Sequence, residues 1–210
     1  MVFITFICNQ NRLFLMLPKL SPDHRIEGLN DVTVCDFWAW AYSDILSNRN
    51  RSIFAEFLAG LALGITDNSR IEWDAIDLRY KTFKIEVKSA AYLQSWEQKK
   101  VSNIRFDISK KKAWDAFTNE YSKDFTRFSD CFVFCLYTER DKNSANVLDT
   151  GKWDFYVVLT NDLESKFKDQ KSIALSRIQK ICEPVKFSNL KNRIDEVLAK
   201  SSTEKENVIF

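Results

Sequence analysis

The chain has 210 residues, of which 45% are apolar and 29% charged, with 17 Phe and 6 Trp against only 4 Gly and 3 Pro. That length suits one domain with a sizeable core, and the composition excludes a disordered, collagen-like or repeat-built chain. The net charge of +2 by itself identifies no partner.

Five scattered cysteines (Cys8, Cys35, Cys131, Cys135, Cys182) form no C-x-x-C pair. This argues against a zinc site or a disulfide framework and points to a reducing, cytoplasmic setting. The single His24 lies in a polar loop, so neither a multi-histidine metal site nor a Ser-His-Asp arrangement is expected.

The first eighteen residues are apolar, yet they lack a basic leader and a cleavage site, and Asn9 to Arg12 interrupt the run. They read as two short strands or a docked arm rather than a signal or a membrane span. The spacing predicts a helix capped by Asp36 and running to about Ser47. A polar break at 48–51 follows. A second helix, from about Ser52 to Ile65, carries a stripe of Phe54, Phe57, Leu58, Leu61 and Ile65 and is apolar nearly all round, so it is expected to be buried. Glu56 is its only charge and needs a partner: either an arginine such as Arg49 or Arg51, or a cation bound further along the chain.

Two alternating runs come next, Ala75 to Tyr80 and Lys84 to Lys88, joined by a short polar connection. Period two with a short link predicts an antiparallel hairpin, in which Glu86 and Lys88 share a face and Asp77 can lie beside Glu86. Two adjacent carboxylates raise each other's pKa unless a cation compensates them. A hard divalent ion such as Mg²⁺, with Mn²⁺ as a substitute, takes such oxygens together with water and phosphate.

Ala90 to Lys99 reads as a loop entering a short helix with Gln94 and Gln98 one turn apart. Ile104 to Ile108 reads as a strand, and Lys111 to Tyr121 as a helix with Trp114, Phe117 and Tyr121 on one stripe. Cys131 to Tyr137 and Trp153 to Leu159 are continuous apolar runs, as expected of central strands. Short helices near 162–168 and 190–200 complete an α/β chain with a central mixed sheet flanked by helices. We divide it into an N-terminal arm (1–35), a core (36–160) and a C-terminal helical extension (161–210) of one domain.

Charge is unevenly placed. From Arg79 to Lys112 ten basic residues face three acidic ones, a local +7 that leaves −5 for the rest. Lys99, Lys100, Arg105, Lys110, Lys111 and Lys112 make a stripe suited to a phosphate backbone, so DNA is the expected partner.

The order Glu56 on a helix, Asp77, then Glu86-Val87-Lys88 on the next strand resembles the PD-(D/E)xK nuclease superfamily, whose fold is restriction-endonuclease-like. The resemblance covers about 49–137, as an α-β-β-β-α-β core. The string I-E-V-K-S-A-A-Y-L-Q-S-W is also similar to an uncharacterised bacterial branch of that superfamily. Two other E-x-K triplets, at Glu97 and Glu164, lack this strand context, and no proline precedes Asp74 or Asp77.

The resemblance implies Mg²⁺-dependent hydrolysis of DNA phosphodiester bonds in repair, recombination or defence, with a homodimer or a partner protein. It implies that Asp77 and Glu86 bind the ion, that Glu56 completes its shell and that Lys88 assists the attacking water. Gln98 or Gln94 is the added glutamine of some members. Asp74, the alternative aspartate, and Ser89 stand behind the ligands. The rival expectation is a DNA-binding or structural protein that keeps the fold without cutting.

Overall fold

The structure is a computed structural model that describes residues 5–9, 12–16, 18–72, 75–115 and 120–206. It opens with a hairpin of β1 (Thr5–Asn9) and β2 (Arg12–Met16), the two short strands read from the sequence. In α1 (Val34–Tyr42) the Thr33 hydroxyl accepts from the Asp36 N–H while the Asp36 carboxylate accepts from the Thr33 N–H. Asp36 is therefore the third helical residue of a capping box and not the cap, because Thr33 already supplies the short side-chain oxygen that the helix start needs. The helix also stops at Tyr42 instead of Ser47.

α2 (Asn48–Leu63) begins earlier than expected, for the polar run 48–51 is its first turn and not a break. Ser47 accepts from the Asn50 N–H, and polar side chains suit a helix start whose N–H groups have no intrahelical acceptor. Gly64, in the left-handed region at φ 69°, ends the helix. The helix is not buried all round: Ala55, Leu58, Ala59 and Leu63 face inward, whereas Phe57 and Leu61 stay 47% and 46% exposed. Small residues occupy the inner face because the approach is close. A methyl on Gly60 would come within 3.1 Å of Thr66 Cγ2.

β3 (Leu78–Tyr80) and β4 (Phe83–Ala91) form the expected hairpin about the turn Lys81–Thr82, with Lys81 at φ 55°. Leu78 pairs with Ile85, so Asp77, one residue earlier, is level with Glu86. Residues 75–77 are bends rather than strand.

After Ala91 the expected short helix is absent, and 92–100 is a loop. β5 (Arg105–Asp107) does form, but outside the main sheet. The expected helix from Lys111 to Tyr121 is instead a small hairpin, β6 (Trp114–Asp115) with β7 (Glu120–Tyr121); Phe117 lies outside the described residues. Residues seven apart stack on one side of a helix but also face each other when a chain folds back on itself. Here Trp114 pairs with Tyr121 across the strands, ring centroids 4.9 Å apart, and that aromatic contact prevails.

β8 (Cys131–Tyr137) is parallel to β4, and β9 (Trp153–Leu159) is antiparallel to β8, giving a mixed sheet in the order β3-β4-β8-β9. α3 (Thr160–Phe167), β10 (Ser172–Ala174), α4 (Leu175–Ile178) and α5 (Phe187–Glu206) follow, and β10 pairs with β5.

Alternation along the strands builds two cores. Ile85, Val87, Val133, Cys135, Phe155 and Val157 pack with α2 and with Leu190, Ile194 and Val197 of α5. Ala90, Phe132, Phe134, Tyr156 and Val158 pack on the opposite face with Phe106, Leu163, Ile173 and Ile178. Each fully buried Ile, Val or Phe contributes about 1.5–3 kcal/mol. The segment from 161 onward, read as an extension, thus covers both faces of the sheet.

The architecture is α/β, a mixed four-stranded sheet flanked by helices. Among the described residues no helix is long and apolar enough to cross a membrane.

Candidate active site

Glu86 and Lys88 lie on the face of β4 opposite Ile85 and Val87, and Asp77 reaches them from the start of β3. Its Oδ2 accepts from the Val87 N–H at 2.7 Å. The Lys88 ammonium donates to Glu86 Oε1 and stands 3.8 Å from Asp77 Oδ2. The sequence-derived trio is therefore one cluster, with the lysine between the acids. Burial and then the Glu86 charge push the Asp77 carboxyl up to about 6, against the opposing pull of Lys88. Burial alone would lower the Lys88 pKa, but Glu86 and Asp77 together raise it, so Lys88 is a firm ammonium near neutral pH.

Two neighbours join the cluster: Lys111, expected only as part of the basic stripe, and Asp107, which the sequence did not indicate. Lys111 donates to the same Glu86 Oε1 at 2.7 Å, and its backbone is fixed by paired hydrogen bonds with Thr126. Asp107 on β5 is close enough to Lys88 and Lys111 to interact with both charges. Burial opposes its charge, yet hydrogen bonds from Ser109 and then the two lysines hold its carboxyl below the usual range.

Glu56 sits apart from this knot. Arg70 takes both its oxygens, Nε on Oε2 and Nη2 on Oε1 at 3.1 Å, and also reaches Glu72 at 2.6 Å. The partner is thus an arginine, but neither Arg49 nor Arg51, because Arg70 returns from the loop after α2 to the one buried acid on that helix. Glu56, Arg70 and Asp77 line one cavity of about 610 Å³ with Ile53, Phe57 and Ile76. The Glu56 charge still acts on Asp77 there, as a smaller influence than Glu86.

Arg51 instead enters the protein, donating to Ser89 Oγ at 3.2 Å, to the Leu46 carbonyl at 2.7 Å and to Asn48 Oδ1. Burial lowers its pKa to about 10. Ser89 is thereby an anchor for α2 on the sheet. Asp74 lies outside the described residues.

Gln94 and Gln98 brace the loop after β4. Gln98 Oε1 accepts from the Gln94 N–H, and both side-chain amides donate to Ser102 Oγ. Neither has a hydrogen bond to the carboxylate cluster. The short helix expected to carry Gln94 and Gln98 is not formed, and both side chains hold the loop together instead.

The basic stripe is also uneven. Lys99 and Lys100 are exposed on that loop. Arg105 donates to Ser172 Oγ, Lys110 pairs with Glu164 and Asp169, and Lys112 lies over the Phe125 ring. Burial pushes the Cys131 thiol up to about 12, so it is a core side chain and not a nucleophile.

No known family, curated protein or solved structure matches the chain. Among the described residues, no three His, Cys, Asp or Glu side chains converge into a ready metal group. Two carboxylates do converge on Lys88, and the hydrogen bonds made to them by described residues fall on Asp77 Oδ2 and Glu86 Oε1, leaving Asp77 Oδ1 and Glu86 Oε2 to accept from none. One or two carboxylate oxygens with water and phosphate are what a Mg²⁺ site requires, so the donor set fits.

Proposed function

We propose that the chain is a metal-dependent nuclease with a restriction-endonuclease-like core, hydrolysing DNA phosphodiester bonds. The observation that supports it is the meeting of Asp77, Glu86 and Lys88 about one point, with two carboxylate oxygens that accept no hydrogen bond from the described residues. Asp77 and Glu86 would hold Mg²⁺, or Mn²⁺ in its place. When bound, such an ion supplies Lewis-acid stabilisation of the charge that develops on the phosphate.

Lys88, an ammonium between Glu86 and Asp77, would assist the attacking water and balance negative charge on the phosphate. Glu56, engaged by Arg70, acts on the site as a fixed charge at a distance. Lys99, Lys100, Arg105 and Lys112 are exposed cations of the basic stripe that can follow the DNA backbone.

One observation favours a rival reading, a DNA-binding or structural protein without activity: Asp77, Glu86 and Glu56 each already stand beside a cation. Supercoiled, linear duplex, single-stranded and branched DNA incubated with Mg²⁺ or Mn²⁺ separate the two. A nuclease cuts at least one of them and loses about 100-fold or more in Glu86→Gln and Lys88→Ala. Equal cutting by wild type and both variants contradicts the nuclease, and DNA binding without any cutting supports the rival.

A further inference from the structure

Lys111 is not part of the motif that suggested a nuclease, yet it donates to Glu86 Oε1, the same oxygen that Lys88 holds. Glu86 is buried, with 7% of its side chain exposed, so neutralising it matters, but one ammonium already does this. Lys88 is the closer fit, with 19% of its side chain exposed against 47% for Lys111. Lys111 is thus the more loosely committed of the two. Its backbone is nonetheless fixed at the rim by the exchange of N–H and carbonyl with Thr126, both at 2.9 Å.

We propose that Lys111 is a place-holding cation: it occupies Glu86 while no divalent ion is bound and becomes a ligand for a nucleic-acid backbone phosphate once Glu86 is engaged by one. This rests on the nuclease reading above. The physical reason is charge balance. A buried carboxylate beside Lys88 and a divalent ion no longer needs Lys111, and that half-exposed ammonium, with Asp107 beside it, turns outward to the substrate phosphate. Lys111 thereby couples ion binding to DNA binding, each favouring the other.

Calorimetric titration with Mn²⁺ alone tests the first half, on wild type, Lys111→Ala, Lys111→Gln, Glu86→Gln and, as a charge control on the same segment, Lys123→Ala. Removing the place-holder tightens Mn²⁺ binding about 5-fold to 10-fold in both Lys111 variants, while Lys123→Ala stays within about 2-fold. Anisotropy with a cleavage-resistant phosphorothioate oligonucleotide, confirmed intact on a gel, tests the second half. Lys111→Ala weakens DNA binding about 10-fold with Mn²⁺ present and less than about 2-fold in chelator. An unchanged Mn²⁺ affinity in the Lys111 variants, a shift matched by Lys123→Ala, or a DNA defect independent of Mn²⁺ overturns the proposal. If Glu86→Gln binds Mn²⁺ as wild type does, or nothing binds it, the nuclease reading fails as well. Glu86-dependent binding with no Lys111 effect sinks the place-holder alone.

Discussion

Asp77 accepts a hydrogen bond from the Val87 amide at 2.7 Å, which fixes its carboxylate to the backbone of the strand that carries Glu86 and Lys88. The bond lowers the Asp77 pKa, but less than burial and Glu86 raise it. The acid is held in place by geometry and kept uncomfortable by its charge.

A pH dependence follows for the metal-free protein. The Asp77 carboxyl goes from 3.8 to about 6 on folding, so the folded state binds this proton more tightly than the unfolded one. The stability this contributes is full below about pH 4 and is lost as pH rises through about 6. Asp77→Asn, which keeps an oxygen for the Val87 amide, should therefore be more stable than wild type by about 2 kcal/mol at pH 8 in chelator. The gap should close by pH 4. Urea unfolding from pH 4 to 8 measures it, and a constant gap would contradict the shift.

The Glu56–Arg70 pair should respond unequally to removal of its two members. Glu56 is the buried partner, with 10% of its side chain exposed against 34% for Arg70. Arg70→Ala leaves that carboxylate without its cation and should cost about 2–3 kcal/mol. Glu56→Gln leaves Arg70 with Glu72 and solvent and should cost about half as much, while Glu72→Gln, at an exposed acid, should stay within about 0.5 kcal/mol. Denaturant midpoints rank the three.

Arg127 should be among the most sensitive polar positions. All five of its N–H donors are used: Nε on the Ile108 carbonyl, and the two Nη groups on Glu164 and on the Phe167, Lys168 and Gln170 carbonyls. It ties the segment between β4 and β8 to α3 and the turn that follows it. Arg127→Lys keeps the charge but loses the fork, so both it and Arg127→Ala should lower stability, the latter by about 3–5 kcal/mol. A thermal shift below about 3 °C for the alanine variant would contradict that role.

What could be read from the sequence was what is local. β4 is legible in strict alternation at 84–88 and β8 and β9 in their apolar runs, while the short link allows, and the two-residue turn of the structure fixes, the register that puts Asp77 level with Glu86. The segment from Lys111 to Tyr121 is ambiguous in sequence because Trp114 and Tyr121 satisfy a helical stripe and a hairpin pair equally well, and only the packing of the two rings decides. Arg70 and Lys111 were not identified as partners of the site acids because each reaches its carboxylate across 14 and 25 residues of intervening chain, a distance at which spacing carries no signal. The short helix expected around Gln98 fails for a related reason. The Gln98 amide is consumed by Tyr92, Lys100 and Ser102.

The most direct test is a crystal soaked in Mn²⁺ and measured for anomalous scattering. An anomalous peak bonded to both Asp77 and Glu86, with the Lys88 ammonium drawn away from Asp77, is the expected result. Carboxylates still closed on Lys88 and Lys111, with no peak between residues 77 and 86, would contradict it.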